Sequence, residues 1–544
     1  MKHATTSAAI AGIFFLIPVY LFSDNYPVTN THDSGAGSLR QAIIDANSRP
    51  GPDIILFQIP EGDPGYNTAS GVWTIKPLTQ LPKIEDDELV IDGGSQKQFL
   101  GMDTNPDGPE LEICGIASSD YSRGLYVHAD RVEIIGLIIN DFRNLGWTDA
   151  VFFEAVKGGL VSRCYIGTDA TGMKRRDNFY GIYLDKESEG VEVRENIVSA
   201  NRWGGIRVAY GSRKNTFFQN TVGLNRDRSD TLGNGTGGGN YGGVFVDTGS
   251  DSNIFVDNWI GGNKGSGISL WESSGNQIQH NCIGTDTTLQ KSFGNSGSGI
   301  YIAVNPNNPH PPEYNRIQDN WISRNGYGGV YLAGPDIRFN TIRQNRISSN
   351  SVGGIASDQP LVQGVERPVI EEFNGTAVSM TAGAGQTVDL FNDENNEGRI
   401  YLGTGVADGS GHFSLVLPGP TPLSFITATA TGLDGSTSGF SQPFAATSPV
   451  QAMTARPAMD YLSANYPNPF NPSTILRFGV SRPGPVRITV WNEKGERAAI
   501  LTDGRFEPGE YQAVFEASGL SAGIYVVRFE TNDFFEARKI ILVR

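Results

Sequence analysis

Between residues 160 and 357 the apolar positions follow a repeated two-part phrase instead of the three-to-four-residue period of an amphipathic helix. The first half reads Asn-x-(Ile/Val). Its copies are Asn196-Ile197-Val198, Asn220-Thr221-Val222, Asn258-Trp259-Ile260, Asn281-Cys282-Ile283, Asn320-Trp321-Ile322 and Asn345-Arg346-Ile347. The second half is Gly-(Ile/Val)-x-hydrophobic, beginning at Gly181, Gly205, Gly243, Gly267, Gly299, Gly329 and Gly354. A repeat of this size predicts stacked structural units instead of one globular core. The inward hydrophobics Ile166, Val198, Val222, Ile260, Ile283, Ile322 and Ile347 are separated by 32, 24, 38, 23, 39 and 25 residues. Short and long steps alternate, so a coil of about two dozen residues is basic and every second coil carries an insertion.

The insertions fall at Asp169–Asn178, Asn225–Asn240 and Asp286–Ser296, with a Pro-rich bulge at Asn305–Pro312. The first three leave similar turns: Ile166-Gly-Thr-Asp169, Val222-Gly-Leu-Asn225 and Ile283-Gly-Thr-Asp286. They are therefore expected along one edge of a rod. Within a strand, residues two apart share a face, so each Asn points inward with its Ile or Val. Buried asparagines are tolerable only if coils stack in register and the amides bond to one another and to turn backbone. Cys164 takes the ladder slot one coil before Asn196, as a small buried substitute, whereas Cys282 takes an outward slot, so the two should not pair.

These residues resemble the right-handed parallel β-helix repeat family over roughly Gly115 to Asp358. The resemblance implies an architecture and leaves the chemistry open. Upstream, Val28-Thr-Asn-Thr-His-Asp-Ser-Gly-Ala-Gly-Ser-Leu-Arg-Gln-Ala42 resembles the CSLREA-like leader of bacterial β-helices, with Gly37 for Cys and Gln41 for Glu. Ser38 is an N-cap for a short helix over Leu39–Ala46, which would cover the open end of the first coil. Beyond Asp358 the period stops. Val388-x-Leu390, Ile400-x-Leu402 and Phe413-x-Leu415-x-Leu417 alternate as strands of a sandwich that resembles Ig-like modules. The last eighty residues open on Asn465-Tyr-Pro-Asn-Pro-Phe-Asn-Pro. They contain Val486-x-Ile488-x-Val490, Tyr511-x-Ala513-x-Phe515, Ile524-x-Val526-x-Arg528 and Lys539-x-Ile541-x-Val543. They closely resemble the C-terminal sorting domain of the type IX secretion system, which implies that machinery as a partner and export to the cell surface.

At 544 residues several domains are expected. The expected division is a signal peptide at 1–23, an N-terminal cap with the first coils at 24–114, the β-helix at 115–358, an Ig-like sandwich at 359–447, a linker at 448–464 and the sorting sandwich at 465–544. The fold class is all-β. Lys2 and His3 precede an apolar run from Ala8 to Phe22, which reads as a secretory signal. An uncleaved anchor is the alternative, because Leu21 stands where a small residue is preferred. No later stretch is apolar enough to span a bilayer, so the mature chain is expected without a transmembrane segment. The net charge of −16 argues against nucleic acid as a partner. Three cysteines form no disulfide framework. A monomer is expected.

Candidate chemistry lies in the outward files. After each Gly-Ile the first outward position runs Tyr183, Arg207, Phe245, Ser269, Tyr301, Tyr331. The next runs Asp185, Ala209, Asp247, Trp271, Ala303, Ala333, and on the Asn strand Trp259 and Trp321 lie two coils apart, roughly 10 Å. Aromatic faces along an acidic rod suit sugar rings, with Tyr183, Phe245, Trp259, Trp271, Tyr301, Trp321 and Tyr331 as the substrate-binding set; sheet packing of exposed aromatics is the bland alternative. Asp185, Arg207 and Asp247 form the catalytic candidate, although two coils separate the aspartates and no pair of aspartates on neighbouring coils and no His stands with them. No metal site is recognisable and no cofactor is assigned. Ca²⁺ is conceivable at the acidic loop Asn392–Glu397, without EF-type spacing. The expected function is recognition of extracellular polysaccharide along the rod. The alternatives are a polysaccharide lyase or glycoside hydrolase acting on acidic polysaccharide, and a non-catalytic adhesin or structural stalk.

Overall fold

A computed structural model of the chain describes residues 23–117, 122–143, 148–236, 241–305, 310–375, 377–417, 423–446, 450–453, 457–517 and 519–543. The signal segment up to residue 22 and the tip of the Asn305–Pro312 bulge lie outside the described residues.

The phrase folds as the spacing predicts. Each coil contributes one short strand to each of three sheets, parallel except for one added N-terminal strand, which among the described residues have eleven, eleven and nine strands. The first sheet runs from Asn25–Val28 to Thr341–Arg343, the second from Tyr66–Asn67 to Arg346–Ser348, and the third from Leu125–Val127 to Gly353–Ser357. Parallel pairing thus starts at Asn25, which faces Ile54. In the second sheet Ile166, Val198, Val222, Ile260, Ile283, Ile322 and Ile347 stand in one inward file. All are at most 1% exposed, so each coil buries its apolar side chains against the coils above and below.

The asparagines form the expected line. The Nδ2 of Asn196, Asn220, Asn258, Asn281 and Asn320 each donates to the Oδ1 of the next, at 2.9–3.0 Å, ending at Asn345. The same Oδ1 also accepts the backbone N–H of the preceding asparagine, at 2.9–3.1 Å for the five steps. Cys164 fills the slot before Asn196 and its N–H bonds Asn196 Oδ1 at 2.9 Å. The residue before each ladder asparagine turns the corner: Glu195, Gln219, Asp257, His280, Asp319 and Gln344 have φ of +54° to +58°. Their side chains point outward, away from the amide line.

Two further ladders occupy the other corners. One runs Asn178, Asn201, Asn234, Asn263, Asn295, Asn325, Asn350. The other runs Asn215, Asn253, Asn276, Asn315, Asn340. The first lies outside the Asn-x-Ile phrase; the second carries further copies of it that were not read from the sequence, in Asn276-Gln277-Ile278, Asn315-Arg316-Ile317 and Asn340-Thr341-Ile342. The inserted loops share one device: Asp169, Asn225 and Asp286 each accept backbone N–H groups four and five residues on.

Both ends of the rod are covered. At the start, α1 (Leu39–Asn47) buries Leu39, Ala42, Ile43 and Ala46, and its N-cap Ser38 accepts from Gln41 N at 3.2 Å. At the other end, residues 369–445 form a three-stranded and a four-stranded antiparallel sheet around Phe373, Met380, Leu390, Phe413 and Ile426. This unit seats on the last coil: Phe391 and Phe440 join the rod's core, and Arg343 makes a two-bond pair with Asp389 at 2.9 and 2.7 Å. It also ends two ladders. Glu397 Oε1 accepts Asn350 N at 3.1 Å, and Gln363 Oε1 accepts Asn340 N at 2.8 Å. Asp393 is spent on Asn395 N and Arg399 N at 2.9 Å. Two of the carboxylates that made Asn392–Glu397 a Ca²⁺ candidate, Asp393 and Glu397, therefore serve the protein's own backbone. The C-terminal unit has two four-stranded antiparallel sheets around Leu476, Phe478, Ile488, Phe515 and Val527. One of them takes the strands Val450–Met453 and Tyr461–Leu462 from the stretch expected as a linker at 448–464, because these pair with Gly509–Glu516 and Ser473–Val480. No helix among the described residues is long and apolar enough to cross a membrane.

Candidate functional site

The outward file of the third sheet has the register read from the sequence, Tyr183, Arg207, Phe245, Ser269, Tyr301 and Tyr331 on successive strands, and Phe152 extends it by one strand at the start. Its two halves differ. Over the first half, rings arriving from the corner loops cover the file. Phe179, Tyr180, Trp203 and Tyr241 pack on Phe152 and Tyr183, and Tyr241 meets Phe245 edge-on at 4.8 Å. Tyr183 and Phe245 are therefore only 4% and 6% exposed, which corrects their expected role as open stacking faces.

Arg207 lies within this cluster. Its guanidinium carbon is 4.8 Å from the Tyr183 ring centroid and 5.7 Å from that of Tyr180, and its Nη2 is 3.0 Å from Asp247 Oδ2. Burial works against its charge, but Asp247 and the two tyrosines keep it protonated. Burial raises the Asp185 and Asp247 carboxyls, and Arg207 offsets part of both shifts. The sequence candidates Arg207 and Asp247 are thus in contact, whereas Asp185 stands apart from that pair.

Four acidic or basic partners were not read from the repeat. Glu154 lies beside Asp185 on the neighbouring strand. Asp149 is fully buried and bonds Arg123 Nε at 3.1 Å. His128 approaches Glu154 at 3.6 Å, and Glu272 interacts with Asp247 from the next coil. A carboxylate pair on neighbouring coils, Glu154 with Asp185, therefore exists although it is not the pair of aspartates sought, and a His stands near it, contrary to expectation. The signal was available in Ala150-Val151-Phe152-Phe153-Glu154, the same phrase with Ala for Gly. Burial of Glu154 works to raise its carboxyl, but hydrogen bonds from Lys186 and Tyr126 overcome this and hold it at about 2. Burial pushes Asp149 up to about 6, against the opposing pull of Arg123. Asp149 Oδ1, Asp185 Oδ1, Arg207 Nε and Glu272 Oε1 are buried without a hydrogen-bond partner among the described residues. Orphaned polar atoms are uncommon in folded proteins, and four on one face mark it out.

Asp149 yields a pH prediction. Its folded pKa lies above the unfolded value, so its contribution to stability is complete below about 4 and is lost as the pH rises through about 6. Relative to Asp149→Asn, the protein should lose about 3 kcal/mol between pH 4 and pH 8. Denaturant melts of both proteins across that range check this, and parallel stability profiles would refute it.

Over the second half of the file, Ser269 takes the place of a large ring. A cavity of about 200 Å³ opens there, lined by Ser266, Ser269, Trp271, Ser298, Tyr301 and Tyr327. Trp271 is half-buried and 6.3 Å from Tyr301, which stacks on Tyr331 at 6.1 Å with planes 2° apart. Ser298 Oγ has no partner among the described residues. Trp259 and Trp321 are two coils apart as expected but belong to the second sheet, so they do not extend this file. Among the described residues no group of three His, Cys, Asp or Glu side chains is placed to hold a metal ion.

Known families match in three segments. Residues 104–241 match the right-handed beta helix region, residues 228–355 match the family described as periplasmic copper-binding protein NosD, and residues 464–543 match the secretion system C-terminal sorting domain. No curated protein matches the chain. Similar solved structures include the mannuronan C-5 epimerase AlgE4 A-module of Azotobacter vinelandii, at 10% identity and a TM-score of 0.38 over 62% of this chain and 98% of that one. The Dettilon tailspike protein is 15% identical with a TM-score of 0.32, over 88% and 90%. The periplasmic alginate epimerase AlgG is 13% identical with a TM-score of 0.32, over 55% and 69%. Likeness at this level carries nothing about chemistry. The chain is a right-handed parallel β-helix protein that ends in a type IX secretion sorting domain, and it is secreted or held at the cell surface.

Proposed function

We propose that the protein recognises an extracellular polysaccharide along the third sheet of its rod, with the 359–447 unit acting as an Ig-like spacer ahead of the sorting domain. The observation that carries this reading is the serine-floored cavity between Trp271, Tyr301 and Tyr327. Hydroxyls at the base and rings at the sides match a sugar, which offers an apolar face to aromatics and a polar rim to hydrogen-bond groups. A glycan array on the secreted chain, followed by titration of Trp271→Ala, tests it. Loss of the stacking ring should weaken binding about tenfold. Affinity unchanged in Trp271→Ala and Tyr301→Ala would reject the third sheet as the surface, and binding to no glycan would favour a stalk.

A second reading, cleavage of acidic polysaccharide, draws on the buried cluster next to that cavity. A carboxyl near pH 6 at Asp149 and a raised Asp185 beside Glu154 are groups suited to general acid–base work. Assays for new reducing ends and unsaturated products on glycans bound in the array distinguish the two. Product formation that persists in Asp247→Asn and Asp149→Asn would remove this cluster from any chemistry.

A further inference from the structure

The second sheet carries its own concavity. The file Tyr165, Ile197, Thr221, Trp259, Cys282, Trp321 forms the floor of a groove of about 710 Å³, within the range of ligand sites. Five coil steps of about 4.8 Å make it roughly 24 Å long. Cys282 is buried between the two half-exposed indoles, so the floor dips between them. One end is closed, because Tyr165 Oη donates to Asp107 O at 2.6 Å and Arg226 is paired with Asp107 at 2.5 Å.

The side wall is the loop at 225–231, and Arg228 stands on it. Asn225 Oδ1 bonds the N–H groups of Ser229 and Asp230 at 2.9 and 3.1 Å, and Leu224 pairs with Thr231, so the loop is built, not loose. Arg228 occupies the left-handed position of the turn, with φ of +57°. The equivalent positions in the other two loops are Gly172 and Leu289, at +70° and +60°. Glycine is the residue most at ease in that conformation, and a long cationic side chain there is a costly choice. The choice places the guanidinium carbon 4.6 Å from the Trp259 centroid. Arg228 Nε donates to Thr221 Oγ1 at 3.2 Å. No carboxylate among the described residues pairs with Arg228, although it is half-buried and burial works against its charge. Arg226 and Arg194, by contrast, are both neutralised by carboxylates. A second contact of an arginine with a floor indole comes from the file itself, where Arg346, on the strand after Trp321, lies 5.4 Å from the Trp321 centroid. In a chain of net charge −16, an anionic ligand would be repelled unless the site supplied its own uncompensated cation.

We infer that this groove binds an acidic saccharide: the Arg228 guanidinium takes the oxyanion of one sugar, and the chain of rings lies along the Trp259–Trp321 floor. The fork of N–H donors left on Arg228 suits a carboxylate or a sulfate. The ring edges and indole faces take the apolar side of the sugars. Asp257, on the corner rim of the same groove, is an acceptor for sugar hydroxyls. The site is separate from the third-sheet cavity and does not depend on it.

Calorimetric titration of the full secreted chain with trigalacturonate, its methyl ester and a sulfated chondroitin oligosaccharide provides the test. Trigalacturonate or the sulfated probe should bind, the methyl ester should bind at least tenfold more weakly than the free acid, and whichever anion binds identifies the oxyanion. Arg228→Gly keeps a residue that the turn accommodates, as Gly172 shows in its own loop, and should weaken the charged probe about tenfold or more while melting like the parent. Trp271→Ala, on the other face, should leave this binding unchanged even if it abolishes recognition there. The inference is overturned if neither charged probe binds, if acid and ester bind alike, or if Arg228→Gly binds the charged probe as the parent does.

Discussion

Asn258→Ala is expected to destabilise the rod by about 3–5 kcal/mol. Asn258 sits mid-ladder, 2% exposed. Its Oδ1 accepts Asn220 N at 2.9 Å and Asn220 Nδ2 at 3.0 Å, and its Nδ2 donates to Phe217 O and Asn281 Oδ1, both at 2.9 Å. Alanine leaves the Asn220 N–H and the Phe217 carbonyl buried and without those partners. A void remains where the amide was. Each orphaned group costs about 1–3 kcal/mol, more than the net gain from making an ordinary bond. Because coils stabilise one another only through their neighbours, the damage is not shared over a large core. Chemical denaturation followed by circular dichroism measures the loss. A change under about 1 kcal/mol would mean that the amide line is a consequence of stacking instead of a cause.

Arg207→Ala should cost a similar amount, about 3–5 kcal/mol, for a different reason. The pair with Asp247 has side chains only 9% and 11% exposed. Removing the cation leaves a carboxylate among tyrosine rings, and Asp149, which also feels Arg207, loses part of its compensation. A double change, Arg207→Met with Asp247→Leu, should recover most of the loss, because neither charge is then stranded. The double-mutant cycle isolates the pair. If Arg207→Ala costs no more than breaking the exposed pair Arg49–Asp24, the cluster is wetter than its burial implies and the pair is a surface contact worth about 0–1 kcal/mol. The stability measurement also bears on any activity: a loss of product formation in Arg207→Ala is interpretable only when the protein is shown to remain folded.

The sequence by itself determined the coil, its direction of stacking and the files. The reason is local: an Asn and an Ile two residues apart must share a face, and both can be buried only if every copy meets the next in register. From that followed the amide line from Asn196 to Asn345, the ladder slot of Cys164, the separation of Trp259 from Trp321 by Cys282, and the common turn of the three insertions. The helix capped by Ser38 was legible for the same kind of reason, since its cap and apolar face are written within ten residues. In the sorting domain the strands were legible but not their facing: Ile524 is 36% exposed while Tyr525, Val527 and Phe529 are buried. Both phases of that strand are apolar, so alternation alone does not choose between them.

What only the tertiary structure decided is exposure and company. Tyr183 and Phe245 occupy outward positions, yet Trp203 and Tyr241 fold over that half of the sheet from corners whose path the repeat does not encode. Asp149, His128 and Glu154 joined the Arg207 cluster from a coil where the phrase was blurred. The ladder from Asn178 to Asn350 lies where coil lengths vary, with steps of 23, 33, 29, 32, 30 and 25 residues, so its asparagines come into line only when the coils close. The ladder from Asn215 to Asn340 instead keeps the steps of 38, 23, 39 and 25 of the Asn220–Asn345 line, five residues ahead of it, and was legible in the sequence. Glu397 and Gln363 end those ladders from beyond the repeat, because an amide line left open at the last coil would expose unpaired N–H groups that the next domain is placed to satisfy.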